Sequence, residues 1–154
     1  MQKLPSSSSC YVCGRENPIS LKLEFYINDE GNVMSEFCLD EVYAGYPGMV
    51  HGGNIAAILD ETAGRALTTD DQDRFMVTSE LKVKFLKPVP TNTPLVAVGK
   101  VVKKRGRTAV GSSEISTKDG VILASSEAFF VEVPEQFGDR ENLEDSGWKV
   151  YPDD

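Results

Sequence analysis

Apolar and polar residues alternate along six stretches of the chain, and between the second and the third the period of the pattern changes. A period of two is typical of strands that bury one face. It predicts strands over residues 21–27, 33–39, 76–86, 95–103, 108–116 and 122–133. From about Gly52 the spacing becomes helical, which predicts one helix with a broad apolar face, formed by Ile55, Ile58, Leu59, Thr62, Ala63, Ala66 and Leu67. Residues 68–73 end this helix, because their acids are unfavourable at its negative C-terminal end.

Turn residues separate the predicted strands and indicate how they are connected. The first two strands form a hairpin, and the last four have short connections, which favour an antiparallel meander. A helix with so much apolar surface must pack on the sheet. The predicted fold is therefore α+β, with a curved antiparallel sheet wrapped around one long central helix.

The chain divides into three parts by composition and pattern. Residues 1–20 are predicted to be irregular and partly mobile at the extreme end, because they are rich in Ser and Pro. Residues 21–133 carry the strands and the helix and form the one domain. Residues 134–154 form an acidic C-terminal tail, with Trp148 and Tyr151 as its only anchors.

Composition excludes several classes of partner. The 154 residues carry a net charge of −8, which disfavours a general nucleic-acid surface, since phosphate backbones need clustered positive charge. A run of about 18 apolar residues is absent, so no membrane span is predicted. The first residues lack the apolar stretch of a secretory signal. We therefore expect a cytoplasmic protein.

One local cluster of basic residues departs from this acidic background. It consists of Lys100, Lys103, Lys104, Arg105 and Arg107. Such a cluster is either a dock for the phosphates of a small anionic ligand or a solvated strand end and turn, and charge clusters are usually surface features. Both interpretations stay open at the level of the sequence.

Two of the three cysteines form a second candidate motif, whose role the sequence leaves open. Cys10 and Cys13 have the spacing of half a zinc knuckle or of a redox dithiol. A second ligand pair is missing, because only Cys38 and His51 remain. A disulfide is not expected in a reducing compartment. We predict no metal and no cofactor, and interpret the pair as packing the entry loop.

The segment from Pro47 to Gly64 carries the candidate chemistry. His51, Gly52 and Gly53 precede the helix, and Asp60 lies on it beside the small residues Ala56, Ala63 and Gly64, whereas Glu61 is predicted to face solvent. Free N–H groups at a helix start can hold a developing negative charge, and a carboxylate can activate a nucleophile. The alternatives are a surface acid, a loop histidine bonded to backbone, and glycines needed only for a tight turn.

The sequence resembles the hotdog-fold acyl-thioester hydrolases of the PaaI type over roughly residues 10–133. The resemblance is carried by Cys13-Gly14, Asn17-Pro18, Leu21-Lys22-Leu23, the run Gly45-Tyr-Pro-Gly-Met-Val-His51-Gly52-Gly53, and Leu59-Asp60-Glu61. It implies an acyl-CoA thioesterase in which a helix lies inside a sheet and subunits pair. It also implies acyl-CoA as the substrate.

The resemblance assigns roles to individual residues. The Gly52 N–H would polarise the thioester carbonyl, Asp60 would be the general base or nucleophile, and the Thr78 hydroxyl would position water. His51 would shape the loop, with Gly53 and Gly45 on the substrate side. Some members carry a side-chain amide where this chain has Gly45, so a second carbonyl donor would have to come from backbone. The CoA phosphates would meet Lys103, Lys104, Arg105 and Arg107.

Helix geometry adds a constraint of its own. Gly52 and Asp60 are eight residues apart, so about 12 Å along one helix at 1.5 Å per residue. One thioester carbon cannot lie within about 3–3.5 Å of groups at both places. If both act, the acid must come from a second subunit, which predicts a homodimer or a dimer of dimers with composite sites.

Two other functions use the same pocket. One is a non-catalytic acyl-thioester sensor, and the other is a hotdog dehydratase acting on hydroxyacyl thioesters, in which a loop histidine works with a helix acid. Acyl chain length, and CoA against acyl carrier protein as the carrier, are left open by the sequence.

Overall fold

The computed structural model describes residues 1–133 and 147–153, and within these ranges it contains one α-helix, one 3₁₀ helix and a single antiparallel sheet. The helices are a 3₁₀ turn at Glu41–Tyr43 and α1 at Gly52–Ala66. The strands are β1 Gln2–Lys3, β2 Tyr26–Ile27, β3 Val33–Phe37, β4 Met76–Phe85, β5 Leu95–Arg105, β6 Thr108–Thr117 and β7 Ile122–Glu132. The predicted central helix and α+β class are confirmed.

The order of strands across the sheet is β1-β2-β3-β5-β6-β7-β4. The predicted meander is correct for β5, β6 and β7 but wrong for β4, which pairs with β7 instead of β5. The prediction followed chain order, whereas β5 pairs with β3 and so leaves β4 at the opposite edge. One long edge of β4 is consequently unpaired within the described chain.

The chain before β3 differs from its predicted form. Only residues 26 and 27 of the predicted first strand are extended in the sheet, because Lys22 has a left-handed φ of 57°. Leu21, Leu23 and Phe25 are nevertheless buried. The alternating pattern therefore predicted their burial correctly, but it predicted too long a strand. The first residues are also more ordered than expected, since β1 pairs with β2 and Leu4 is buried.

Two glycines of the sheet let α1 lie very close to it. A Cβ on Gly99 would be 2.3 Å from the carbonyl oxygen of Thr62, and one on Gly111 would be 2.7 Å from that of Ala63. Both distances are below any real van der Waals contact. The helix backbone therefore rests directly on β5 and β6, and this contact fixes which side of the helix faces the sheet.

The opposite side of α1 is covered by the first residues of the chain. Arg65 is buried there, and its guanidinium donates to the carbonyl oxygen of Pro5 and stacks over the rings of Phe25 and Trp148. Trp148 also packs edge-on against Phe75, with ring centroids 5.2 Å apart. The predicted tail residues 134–146 lie outside the described part of the chain.

Among the described residues, no helix has both the length and the apolar character required to cross a bilayer.

Substituting Gly99 with alanine should destabilise the fold strongly. The new methyl group would overlap the Thr62 carbonyl, so the helix would have to lift from the sheet. We expect a loss of at least about 2 kcal/mol in the free energy of unfolding, measured by urea denaturation. The matched control is Gly52→Ala, whose Cβ would meet only the Phe85 ring at 3.4 Å. Equal losses for the two variants would contradict the close-contact explanation.

Candidate active site

The start of α1 presents an N–H group that has no hydrogen-bond partner among the described residues. His51 is the N-cap residue, and its Nδ1 atom accepts the Gly53 N–H at 2.8 Å. The N–H groups of Asn54 and Ile55 go to the His51 carbonyl. No hydrogen bond between described residues uses the Gly52 N–H. His51 therefore orders the helix start, and Gly52 is left with a donor that can receive a ligand oxygen.

The contact with His51 explains why position 45 is a glycine. Gly45 packs against His51, since a Cβ there would be 3.3 Å from the His51 Cα atom. A longer side chain at position 45 would crowd the cap. Phe85 lies beside Gly52 and is 57% exposed. A concave surface at this end of the helix is lined by Gly45, Tyr46, Met49, Val50, His51 and Gly52.

Asp60 lies further along α1 and is bonded to the strand at the edge of the sheet. The Thr78 hydroxyl donates to the Asp60 Oδ1 atom at 2.6 Å. Burial raises the pKa of Asp60 above its ordinary value, and the nearby charge of Glu61 acts in the same direction, while the Thr78 bond opposes them. The acid has no cationic partner among the described residues. A carboxylate held in this way is a stronger base than a solvated one.

A cavity of about 350 Å³ opens beside Asp60 and Thr78. Gly64, Met76 and Phe130 contribute to its apolar wall. Gly52 does not line this cavity and belongs to the separate concave surface at the other end of the helix. The structure thus brings Asp60 and Thr78 together but leaves Gly52, Gly53, Gly45 and His51 apart from them within one chain.

The predicted phosphate-binding residues lie at the hairpin between β5 and β6. Lys104 pairs with Asp70 at 2.8 Å, and Arg107 lies 3.9 Å from a carboxylate oxygen of Glu132. Lys103 and Arg105 are exposed, and the described chain offers them no ion pair. Two of these four residues, Lys104 and Arg107, therefore contact the chain's own acids, and Lys103 and Arg105 have no ion pair with a described residue.

Reasoning from the sequence missed a buried polar cluster behind the same cavity. Glu61 does not face solvent as predicted, because its Oε1 atom accepts from Arg65 Nε at 2.9 Å. Arg65 Nη2 donates to Cys13 Sγ at 2.9 Å, and Cys10 Sγ lies 3.8 Å from Glu61 Oε2. The Glu61–Arg65 spacing of four on a helix was the available signal. Cys10, Cys13 and Glu61 are the described residues whose ligand atoms are close enough to hold a metal.

Comparison with known proteins identifies the family. The model of the thioesterase superfamily matches residues 47–124, just over half of the chain. The match includes α1, the Asp60–Thr78 pair, strands β4 to β6 and the start of β7. The chain belongs to the thioesterase superfamily.

Individual relatives agree with this assignment. A Saccharolobus solfataricus protein provisionally named an esterase is 32% identical over 98 residues, which are 64% of this chain and 69% of that protein. The acyl-coenzyme A thioesterase THEM4 of Rattus norvegicus is 30% identical over 110 residues, 71% of this chain and 46% of that protein. This chain thus matches less than half of the rat protein's length.

Solved structures confirm the hotdog fold. A thioesterase superfamily protein has a TM-score of 0.73 at 31% identity, covering 79% of this chain and 59% of its own. A Bacillus halodurans protein crystallised with CoA has a TM-score of 0.68 at 23% identity, covering 76% and 78%.

Replacing Asp60 by asparagine should stabilise the folded protein at neutral pH. Because the pKa of Asp60 is raised, the folded chain holds its proton more tightly than the unfolded chain does. This contribution to the free energy of unfolding is fully present below the ordinary Asp pKa and is lost as the pH rises through the raised value. Asparagine removes this cost and can still accept from Thr78. We expect the melting temperature to rise by about 1–2 °C at pH 7.

The same substitution at the exposed turn residue Asp29 is the control for the change in net charge. The gain at position 60 should shrink as pH falls through the ordinary Asp pKa of about 3.9, below which the acid is protonated in both states. A lower melting temperature for Asp60→Asn at pH 7, or a gain equal to that of Asp29→Asn, would contradict the assigned burial cost.

Proposed function

We propose that this thioesterase superfamily member hydrolyses acyl-CoA thioesters. The proposal is carried by the Gly52 N–H, a donor at the positive end of α1 that no described residue accepts, together with the Asp60–Thr78 pair. The names of two similar proteins support CoA as the carrier, since one is an acyl-coenzyme A thioesterase and another was crystallised with CoA. The expected cytoplasmic location is consistent with such a substrate.

The proposed reaction uses each group for one task. The Gly52 N–H donates to the thioester carbonyl oxygen and stabilises the negative charge that forms there. Asp60 takes a proton from water, which attacks the carbonyl carbon, and the C–S bond breaks to give the free acid and CoA thiol. Thr78 holds Asp60 in position through its hydroxyl. Direct attack by Asp60 through a mixed anhydride is the second route to the same products.

A homodimer would bring the two halves together. Gly52 and Asp60 line different concave surfaces of one chain, so each would work with the opposite half of a partner. The unpaired edge of β4 carries Val77 and Phe85, which are 43% and 57% exposed. Phe85 also touches the position of a Cβ on Gly52. Pairing along this edge would cover apolar surface and place a second subunit near the helix start.

Geometry at His51 disfavours the dehydratase alternative. Its Nδ1 atom is engaged by the Gly53 N–H, and its ring shapes the cap against Gly45. A sensor would bind acyl-CoA without turnover, so release of CoA thiol separates it from an enzyme. Loss of water from 3-hydroxyacyl-CoA would support the dehydratase instead.

Turnover of a panel of acyl-CoAs tests the hydrolase proposal. The best substrate should release CoA thiol, and Asp60→Asn should lower kcat by at least about 10²-fold, because the amide cannot accept the water proton. The raised melting temperature of the variant would show that the lower kcat is due to the missing base and not to unfolding. A wild-type rate for Asp60→Asn would exclude the acid from catalysis, and binding without release would favour the sensor.

Replacing Gly52 by proline should remove the carbonyl donor without breaking the helix. Gly52 is the first helical residue, where proline is well tolerated, and His51 has the extended ψ of 136° that proline requires of its predecessor. We expect kcat to fall by about 10²-fold or more. Gly52→Ala keeps the N–H and should be less impaired.

The proline variant also tests the composite site. Each heterodimer of Gly52→Pro with Asp60→Asn would contain one site built from two intact halves. Co-refolding equal amounts of the two inactive variants should therefore restore about a quarter of the wild-type rate. Failure to restore activity in heterodimers of demonstrated composition would mean that both groups act within one chain or that one is not used.

Charge reversal at Arg105 tests the proposed phosphate dock. Arg105→Glu should raise KM for acyl-CoA by about fivefold or more at low salt and leave short thioesters without the nucleotide unaffected. Lys118→Glu, in the turn at the other end of β6, is the matched control. Equal effects of Arg105→Glu on both substrate types would argue against a contact with CoA phosphates.

A further inference from the structure

The cysteines of the N-terminal segment form a feature that thioester hydrolysis does not use. Cys10 and Cys13 belong to one tight turn, closed by a bond of 2.8 Å from the Gly14 N–H to the Cys10 carbonyl. A Cβ on residue 14 would be 2.2 Å from that carbonyl, so the turn requires glycine. The Gly14–Cys10 bond closes a five-residue α-turn that contains both cysteines and keeps their sulfur atoms close together.

The two thiols differ in access. Cys10 is half-buried and Cys13 is 1% exposed, and both line the cavity that opens beside Asp60. Their sulfur atoms and a Glu61 oxygen lie within 4.8 Å of one another. Cys10 is thus the sulfur that a small molecule entering the cavity can reach more easily, and Cys13 lies behind it.

Each sulfur atom of the pair accepts a hydrogen bond, and the Cys10 thiol also donates to Glu61 Oε2 at 3.8 Å. Arg65 Nη2 donates to Cys13 Sγ at 2.9 Å, and the Val12 N–H donates to Cys10 Sγ at 3.3 Å. Hydrogen bonding to the Cys13 thiol is the main cause that lowers the pKa of Cys10 to about 7, against burial and the charge of Glu61. The bond to Cys10 and burial raise the pKa of Cys13. The charge of Arg65 opposes this rise without reversing it, and Cys10, the more accessible sulfur, has the lower pKa of the pair.

We propose that Cys10 and Cys13 form a reversible dithiol–disulfide couple, in which Cys10 attacks a small-molecule disulfide and Cys13 resolves the adduct. The Cys10 thiolate displaces one thiolate from the disulfide and becomes a mixed disulfide. Cys13 then loses its proton, attacks the Cys10 sulfur and expels the second thiolate. The two cysteines are oxidised by two electrons, and one small disulfide is reduced to two thiols.

Arg65 is the reason to favour this chemistry over a metal site. Its guanidinium contacts both Cys13 and Glu61, at 2.9 Å each, so two of the three candidate ligands already face a buried positive charge. A divalent cation bound by these ligands would be repelled by the positive charge of Arg65. The inference goes beyond thioester hydrolysis and does not depend on it, because its readout is the state of the sulfur atoms.

Glutathione disulfide is the probe for the full-length protein. The exposed Cys38 is first replaced by serine, so that only the pair can react. In Cys38→Ser, oxidation at neutral pH should lower the mass by about 2 Da and block maleimide labelling of both cysteines, with reversal by dithiothreitol. Two free thiols that persist under excess glutathione disulfide would overturn the proposal.

Single variants in the same background test the order of events. Cys13→Ser should accumulate a stable glutathione adduct on Cys10, and Cys10→Ser should react at Cys13 at least about tenfold more slowly. Equal reactivity of the two sulfurs would contradict the assigned roles. A stoichiometric zinc ion in the purified protein that is lost in Glu61→Gln would overturn the couple in favour of a metal site.

Discussion

Direct contact between the backbone of α1 and the sheet is the constraint on which the rest of this structure depends. Gly99 and Gly111 remove the two Cβ atoms that would otherwise hold the helix away, and the carbonyl groups of Thr62 and Ala63 occupy that space. Because this contact fixes the rotation of the helix, it also decides which residues reach its sides. Asp60 comes to face the edge strand β4, and Arg65 comes to face the N-terminal segment.

Two of the three charged residues of α1, Arg65 and Asp60, have opposite environments. Arg65 is surrounded by a carboxylate, a carbonyl, a sulfur atom and two aromatic rings, so its charge is fully compensated. Asp60 lies at the wall of a cavity, and its one hydrogen-bond partner in the described part of the chain is the neutral hydroxyl of Thr78. Structural charges are normally paired when they are buried, so an unpaired one is a mark of chemistry rather than of stability.

Patterns within one element could be predicted, and contacts between distant elements could not. The helix was expected from about residue 52 to 67 and is observed at Gly52–Ala66, because its apolar period is long and regular. Leu21, Leu23 and Phe25 were correctly predicted to be buried, but the left-handed Lys22 breaks the strand there. The β4–β7 pairing and the meeting of Cys13 with Arg65, 52 residues away, depend on tertiary structure and leave no local signal.

The buried Arg65 has a consequence for how the chain acquires its final form. Two of its partners, Pro5 and Cys13, precede it by 60 and 52 residues, and Trp148 follows it by 83. Because each of these contacts closes a large loop, we expect them to form late in folding. In this order of events, the first residues of the chain pack over a helix that is already docked on the sheet. The cavity wall that they supply with Trp148 is therefore among the last parts of the molecule to be completed.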